Sequence, residues 1–509
     1  MRRILGSLAV AMVTLLGGEA LAGKANDTLV WSTDRDVAIT DPYYFNAREN
    51  IILSHHLMDT LVMADPATAA IKPLLATKWT WVSDTALEMD LRTDVKFHSG
   101  KAFDADDVVY TLNFLVDREN LILTYTLLNW IKAAEKLDTH KVRINLVRPF
   151  PAALAHLAGL GFIVEKGHYD KAPKKADGRP DFGAVRANGT GPYKLAEMKP
   201  GEFVHLVRNP EYMKDSPKSG AKIGNIRFRT LKESNTRLAE FMTGNIDWIW
   251  DVPKDQAERL VAAPNITVEN AKTLRIAFIA FDVPGRSGVK YFTDKRVRQA
   301  VMHAINREAI AKNLVGPSAV AIHSACHPDV FACSSDVPKY DYSPDKAKKL
   351  LAEAGHPNGF EFDLYAYRER EYTEAVIGDL SRVGLKPKLN FLQLAALNEL
   401  VRNGRVAIHH STWGSNSIAD VTATGSQYFT GGQDDMVRDP EIKKMIEDAD
   451  SFTDPEKRKA AWAKALAKLQ EEAYWMPLFT YAKYYAWTKT LDFKPTSDEM
   501  PQFYSAKWK

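Results

Sequence analysis

Two pairs of adjacent histidines, His55-His56 and His409-His410, are the side chains best suited to metal binding or acid–base chemistry. Successive residues of a strand point to opposite faces, so an adjacent pair in a strand cannot bring both rings to one site. The catalytic motifs G-x-S-x-G and H-E-x-x-H are absent from the sequence. We therefore predict no catalytic centre, no resident metal ion and no cofactor, and a metallohydrolase is disfavoured.

The N-terminus has the pattern of a secretory signal peptide. Two arginines at 2–3 precede an apolar run, 4–16, and an A-L-A site that ends at Ala22. The apolar run is shorter than the ~20 residues that a membrane-spanning helix needs. No cysteine near the cleavage site could carry a lipid anchor. We expect cleavage after Ala22 and a mature protein that is soluble in the periplasm.

The two cysteines, Cys326 and Cys333, are seven residues apart in C-H-P-D-V-F-A-C. In an oxidising compartment, two cysteines on one short loop favour a disulfide. A zinc site is the alternative, but it would need two further ligands, and only His323 and His327 are close in sequence. The spacing therefore predicts a disulfide.

Length and charge limit the class of protein. The chain has 509 residues, enough for about two to four domains. Its 67 basic and 64 acidic residues are well mixed and give a formal net charge of +3. Because no basic block or arginine-rich stripe is present, a nucleic-acid partner is not expected.

Elements of an α/β protein can be predicted around the most regular stretch, residues 78–116. Leu87, Met89 and Leu91 alternate with polar residues, which is typical of a half-buried strand, and 95–98 would continue it. A turn then leads to a helix that Asp104 can cap. Farther along, strand–helix–strand units alternate up to His410, which predicts parallel strands with helices on the sheet faces.

Several segments, read as strings, resemble one protein family. The segments are 95–110 (V-K-F-H-S-G-K-A-F-D-A-D-D-V-V-Y), 188–193 (N-G-T-G-P-Y), 292–308 (F-T-D-K-R-V-R-Q-A-V-M-H-A-I-N-R-E) and 342–360 (Y-S-P-D-K-A-K-K-L-L-A-E-A-G-H-P-N-G-F). They are similar, in the same order, to the family 5 extracellular solute-binding proteins, the peptide/nickel-binding group that serves ABC importers. Ser99 replaces the family's usual aspartate. The resemblance spans essentially the whole chain after the signal peptide.

The resemblance implies an α/β, two-lobed periplasmic-binding-protein fold of type II, like that of dipeptide- and oligopeptide-binding proteins, with an extra inserted domain. Domain I would comprise 27–50, 187–278 and 480–509, domain II would be the insertion 51–186, and domain III would be the second lobe, 279–479. A cleft between the lobes would close over ligand by hinge bending. The expected partners are a small solute and the transporter's permease subunits in the inner membrane, with the chain acting as a monomer.

The resemblance also points to a binding motif near residue 413. In peptide-binding members, a Trp-x-x-Asp motif in domain III supplies a carboxylate for the α-amine of the ligand. Trp413 matches the tryptophan, but Asn416 stands where the aspartate is expected, and an amide cannot neutralise an ammonium group. Asp420 either replaces the missing aspartate or caps the next helix.

Arginine suits a ligand carboxylate because its planar guanidinium can bind both oxygens. Arg368 and Arg370 follow a strand that, by the resemblance, faces the cleft, although at least one of them is expected in a solvated charge run. Tyr43, Tyr44 and Trp250 are the aromatic candidates for the cleft. The two tyrosines are equally suited to the core. Another tryptophan lies two positions before Trp250, and only one of these two tryptophans should face ligand.

These observations together predict the periplasmic solute-binding component of an ABC importer, which captures peptides or peptide-like amino compounds and is not an enzyme. The absent aspartate leaves other family ligands open: opine-like conjugates, oligosaccharides and a chelated nickel ion. For nickel, His409 and His410 beside Trp413 are candidate contacts. A periplasmic chaperone that binds unfolded chains is the alternative from a different class of protein.

Overall fold

The computed structural model describes residues 22–45, 47–66, 68–415 and 418–509. All of the predicted signal peptide except Ala22 lies outside these residues. Within them, no helix combines the length and the apolar character that crossing a membrane requires.

Strands and helices alternate along the described chain, which confirms the predicted α/β class. The strands are β1 (Thr28–Thr33), β2 (Val62–Ala64), β3 (Ile71–Pro73), β4 (Ala76–Ser83), β5 (Ala86–Leu91), β6 (Ile131–Asp138), β7 (Lys141–Leu146), β8 (Tyr193–Lys199), β9 (Phe203–Arg208), β10 (Asn225–Thr230), β11 (Trp248–Ile249), β12 (Ile266–Phe281), β13 (Glu361–Ala366), β14 (Lys386–Phe391), β15 (Ile408–Trp413), β16 (Trp475–Thr488), β17 (Leu491–Asp492) and β18 (Lys507–Trp508). The helices are α1 (Arg48–Leu57), α2 (Ala105–Val116), α3 (Tyr125–Leu128), α4 (Ala153–Leu160), α5 (Ser234–Met242), α6 (Lys254–Leu260), α7 (Lys295–Ala304), α8 (Arg307–Ile310), α9 (Pro344–Glu353), α10 (Arg370–Arg382), α11 (Leu394–Arg402), α12 (Thr422–Tyr428), α13 (Pro440–Ala449) and α14 (Pro455–Glu471).

A mixed sheet of ten strands runs through both lobes, in the order β14-β13-β15-β12-β16-β11-β1-β10-β9-β8. The first lobe is built around β1 and β8–β11, and the second around β13–β15. In the second lobe β13 pairs in parallel with both β14 and β15, as the strand–helix–strand pattern predicts. The long antiparallel strands β12 and β16 belong to both lobes, and their register shifts between Lys272 and Ile276.

The second lobe has a core on each face of the sheet. In β12 the side chains at 277, 279 and 281 join a buried cluster with α7. Those at 276, 278 and 280 join a separate cluster with α13 and α14. Because alternate residues of a strand face opposite sides, an almost wholly apolar strand is what a sheet covered by helices on both faces requires.

Strands β4 to β7, within residues 76–146, form a second sheet, in the order β4-β5-β7-β6. In β5 the side chains of Leu87, Met89 and Leu91 are buried and those between them are partly exposed, as the alternation predicts. Asp104 caps α2 in a capping box with Asp107, which confirms the predicted cap. This segment shares one apolar core with the β1 lobe.

The prediction that a strand continues over 95–98 is wrong. β5 ends at Leu91, and the backbone beyond it pairs with itself across the tight turn. Phe97 N–H donates to Lys101 O, and Gly100 N–H donates to Phe97 O, both at 2.8 Å. Those groups are therefore not available to a neighbouring strand.

Cys326 and Cys333 form a disulfide with a Cα–Cα separation of 5.8 Å, which confirms the predicted pairing. The loop that they close is bonded to the segment after β15: Phe331 N–H donates to Ala419 O, and Val421 N–H donates to Phe331 O, both at 3.0 Å. The disulfide therefore braces a loop that is bonded to residues 419–421, directly before α12.

The N-G-T-G-P segment passes so close to α1 that its glycines have no room for a side chain. A Cβ on Gly189 would lie 2.2 Å from Leu57 O, and one on Gly191 would lie 2.4 Å from His56 O. This close approach explains the two glycines in the motif, because a backbone atom cannot rotate out of the way as a side chain can.

Replacing Gly189 with alanine is expected to lower the free energy of unfolding by about 1–3 kcal/mol, because the backbone must shift to admit the Cβ. Gly378 in α10 is the matched control, since an added Cβ there meets no atom within 4 Å. Gly378→Ala should be neutral or stabilise by up to about 1 kcal/mol. Urea unfolding measures both variants, and equal effects would contradict the steric explanation.

Candidate functional site

A cavity of about 160 Å³ lies between the two lobes. The first lobe contributes residues after β1 and in α1. The second contributes β15, the residues after β13, and parts of α11 and α12. The lining residues are Arg35, Ala47, Arg48, Ile51, Arg275, Tyr367, Arg368, Leu394, Asn398, Val401, Arg402, His409, Ser411, Thr412, Trp413, Gly414, Gln427, Tyr428 and Asp434.

Positive charge dominates the lining of this cavity. It includes five arginines, and within the described chain Asp434 is the one acidic lining residue. Asp434 is already engaged: it accepts from Arg402 Nε at 2.8 Å and from the Gln427 amide. The surface presented to a solute therefore favours negatively charged groups.

The carboxylate that balances much of this charge lies behind the lining. Glu499 is buried and pairs with three cations: 2.7 Å to Arg275 Nη2, 3.1 Å to Lys483 Nζ and 3.4 Å to Arg48 Nη2. Burial by itself would raise the pKa of Glu499, but these cations hold it well below its usual value. Glu499 thereby fixes Arg275, whose Nη1 donates to Thr412 at 3.0 Å.

Asp251 connects the lobes by a similar contact. Its carboxylate lies 3.0 Å from Lys483 Nζ and 3.3 Å from Arg368 Nη2. Burial alone would raise the pKa of Asp251, but Lys483 and Arg368 lower it to about 2. Arg368 also donates from Nε to Glu369, which accepts a bond from Tyr481 OH at 3.1 Å. Arg368 is thus held between two carboxylates while it faces the cavity.

Strand β15 presents buried polar atoms to the cavity. His409 and Trp413 line it, and among the described residues neither His409 Nδ1 nor Trp413 Nε1 has a hydrogen-bond partner. Because buried polar atoms are normally satisfied, a solute that bonds to them would remove a cost to the folded state. His410 points the other way and contacts Thr373 Oγ1 at 2.8 Å, as expected for adjacent residues of a strand. The described residues contain no cluster of three or more potential metal ligands.

Acidification is expected to destabilise the protein partly through His409. Burial, with a smaller contribution from His410, lowers the pKa of His409 to about 3. The unfolded chain binds this proton below its ordinary pKa of about 6.5 and the folded protein does not, so stability is lost as pH falls from there toward 3. Between pH 6.5 and about 5, His409→Gln should reduce the loss of unfolding free energy by about 2 kcal/mol. Urea unfolding at both pH values measures this, and identical pH dependence in the two proteins would refute it.

Two residues predicted to bind solute, Arg368 and Trp413, lie together at the cavity. Arg370 does not join them: it begins α10, its side chain is exposed, and it pairs with Glu374 at 2.8 Å. Asn416 falls outside the described residues.

Asp420 is directed away from this cavity. Its two carboxylate oxygens are bound by Arg458, at 2.6 and 2.7 Å, and one also accepts from Thr422 N–H at the start of α12, at 2.9 Å. Asp420 lies one position before Val421, the N-cap residue of α12; it accepts from the first N–H group of the helix and forms a buried ion pair with Arg458.

The three aromatic candidates lie outside the cavity lining: Tyr43 and Trp250 belong to the core that contains β1, and Tyr44 packs against it. Tyr43 is buried and donates to Phe162 O at 2.6 Å, and Tyr44 donates to Asn120 O at 2.6 Å. Trp250 is buried with Lys483 Nζ 4.1 Å from its ring centroid. Its ring therefore packs against Lys483, one of the cations that pair with Glu499.

Sequence reasoning missed Arg48 and Arg275, which line the cavity together. Arg275 carried a recognisable signal, because it interrupts the apolar run of residues 274–281, L-R-I-A-F-I-A-F. A charge inside a buried strand requires a partner. Arg48 carried no comparable signal, since it is the first residue of α1 and does not interrupt an apolar run. Both approach Gly414, where a Cβ would lie 2.6 Å from Arg48 Nη2 and 2.8 Å from Arg275 Nη2.

Residues 70–435 match the model of a protein family described as bacterial extracellular solute-binding proteins, family 5 Middle. Two relatives extend the similarity. Heme-binding protein A of Haemophilus influenzae is 26% identical over 459 residues, covering 84% of this chain and 82% of that protein. The glutathione-binding protein GsiB of Escherichia coli K12 is 28% identical over 393 residues, covering 75% and 73%.

A solved structure has the same fold. The dipeptide-binding protein of Pseudoalteromonas sp. SM9913, in complex with Met-Leu, gives a TM-score of 0.84 at 22% identity and covers 95% of this chain and 100% of that one. The predicted two-lobed fold of the dipeptide-binding type is therefore confirmed.

Proposed function

Because this chain belongs to the bacterial extracellular solute-binding proteins, family 5, we propose that it captures a small solute bearing carboxylate groups, a peptide or peptide-like compound, for import. The solute binds in the cavity between the lobes. It is delivered, chemically unchanged, to the permease of an ABC importer.

The arginine-rich lining is the observation that carries this proposal. Five arginines face the cavity and Asp434, the acidic lining residue of the described chain, is bound to Arg402. A buried carboxylate needs a charged or hydrogen-bonding partner, and arginine supplies two parallel donors. A solute anion would therefore exchange its hydration shell for preformed donors.

The same contacts argue against recognition through an ammonium group. Asp420 is occupied by Arg458 and Asp434 by Arg402. A ligand amine would have to be neutralised elsewhere or stay near solvent. We propose that affinity depends mainly on the carboxylates of the solute. Glutathione and heme, named in two relatives, both carry carboxylate groups, which agrees with this preference.

Movement of the lobes would control access. Domain I (27–50, 187–278 and 480–509) and the insertion (51–186) would act as one body, and domain III (279–479) as the other, with β12 and β16 as the connection. Solute bound to Arg48 on one side and Arg368 on the other would stabilise the closed form by contacting both lobes. The closed monomer, acting in the periplasm, is the species that we expect the permease to recognise.

A thermal-shift experiment with matched peptides tests the proposal. Ala-Leu, Ala-Leu amide and N-acetyl-Ala-Leu differ only in which end is charged. Free-carboxylate peptides, acetylated or not, should raise the unfolding midpoint in a saturable manner, and the amide should not. Mass spectrometry of the recovered peptides should show them unchanged.

Three results would overturn the proposal. The amide could stabilise as well as the free acid, the peptide could be cleaved, or stabilisation could occur only with a nickel chelate and vanish on addition of EDTA. Unsaturable binding of unfolded chains would instead indicate a chaperone.

A further inference from the structure

A larger cavity, of about 510 Å³, lies between the inserted segment and the second lobe. We call it the aromatic groove. Its lining residues are Trp81, Ser83, Asp84, Phe150, Pro151, Phe331, Asp420, Thr453, Pro455 and Arg458. Aromatic rings and prolines supply half of this lining, from both sides, whereas the cavity described above is lined by five arginines.

The aromatic walls are held in place from behind. Phe150 stacks on Trp130 with ring centroids 5.1 Å apart. Phe331 is fixed by backbone bonds on both sides and lies inside the disulfide-closed loop. Trp81 is 38% exposed although it lies in strand β4. An exposed tryptophan facing rigid rings offers a large apolar contact at little entropic cost.

Of the three charged residues in the described part of the lining, Asp420 and Arg458 pair with each other, and Asp84 is exposed to water. Both terminal nitrogens of Arg458 are bound to Asp420, and Arg458 Nη2 lies 3.4 Å from Asp450. The buried Nε of Arg458 has no hydrogen-bond partner among the described residues. The described lining of the groove therefore offers apolar rings and no unpaired cation, which favours an uncharged ligand over an anionic one.

The groove is separate from the arginine-lined cavity. Among the described residues, the two share no lining residue. Asp420 precedes α12 at the groove, and Gln427 lies near the end of α12 at the cavity. By the rise of a helix, about 1.5 Å per residue, these residues are about 10 Å apart.

We propose that the aromatic groove is a second binding site, which takes an uncharged aromatic molecule between Trp81 and Phe331. This inference does not depend on the identity of the imported solute, because no residue is shared between the two sites. One ring stacks in the groove between the walls, beside the paired Arg458 and Asp420.

The probe for the test is N-phenyl-1-naphthylamine, an uncharged aromatic amine that fluoresces more strongly in apolar surroundings. Titration of the full protein without solute should show saturable binding at one site. Trp81→Ala and Phe331→Ala should each weaken it by about tenfold. Ser83→Trp fills the groove, whereas the two alanine variants enlarge it. This substitution should also weaken binding of the probe.

Two controls separate the groove from other sites. Phe391→Ala removes an aromatic ring of similar exposure, 38%, outside the groove, and should leave the affinity unchanged. Arg368→Met alters the arginine-lined cavity and should likewise leave the affinity for the probe unchanged. Circular dichroism confirms that each variant is folded. Unsaturable binding, or equal affinity in the unmodified protein and the three groove variants, would overturn the proposal.

Discussion

Arg368→Met is expected to weaken the binding of a peptide with a free C-terminal carboxylate by about 10- to 150-fold. That range corresponds to the loss of one hydrogen bond between charged groups, about 1.5–3 kcal/mol. Arg368 faces the cavity with its guanidinium fixed by Asp251 and Glu369. Methionine keeps most of the length of the side chain but has no donor for a carboxylate. Isothermal titration calorimetry measures the change.

Arg370→Met is the matched control. Arg370 lies two residues farther along, is exposed and pairs with Glu374 on the surface. We expect the affinity of Arg370→Met for the peptide to remain within about twofold of that of the unmodified protein, because exposed ion pairs contribute little. Equal losses in the two variants would indicate a general effect of charge, and no loss in either would place the carboxylate elsewhere. Thermal unfolding of Arg368→Met should be measured too, since Asp251 and Glu369 lose a partner.

Glu499→Gln is expected to lower the free energy of unfolding by about 3–5 kcal/mol, the usual cost of removing one partner from a buried ion pair. Glu499 is buried and pairs with Arg48, Arg275 and Lys483. Glutamine keeps the shape but not the charge, so these cations would face one another with less compensation. Urea unfolding at neutral pH measures the difference.

Glu374→Gln provides the comparison for Glu499. Glu374 also pairs with an arginine, but both side chains are more than half exposed, and such pairs contribute about 0–1 kcal/mol. A loss below about 1 kcal/mol in Glu499→Gln would contradict the view that this carboxylate holds the arginines together. The peptide affinity of Glu499→Gln should also fall, because Arg275 would lose the group that orients it.

Local sequence signals predicted many individual elements well. The alternation of Leu87, Met89 and Leu91 and the cap at Asp104 were confirmed, because each depends on residues a few positions apart. The parallel strands of the second lobe and the disulfide were confirmed for similar reasons. The predicted strand over 95–98 is wrong because the backbone groups there bond across a tight turn instead. The periodicity of the side chains gives no information about those bonds.

The candidate site could be predicted only in part. Arg368 and Trp413 are at the cavity, as the family resemblance implied. Arg370 had the same residue type and nearly the same position, but the start of α10 turns it to solvent. Asp420 was a suitable carboxylate in sequence, yet Arg458, from a helix 38 residues away, occupies it.

The amino-acid order was sufficient to assign the family, the α/β class and the disulfide, because motifs, alternation and short spacing are properties of neighbouring residues. The chemistry of the binding cavity depended on long-range contacts. Arg48, Arg275 and Glu499 come from distant segments of the chain and meet only when α1, β12 and the C-terminal segment pack together. A charge's pairing and burial follow from what folds against it, so the local pattern could indicate at most that Arg275 needs a partner, and not that arginines from distant segments line one cavity.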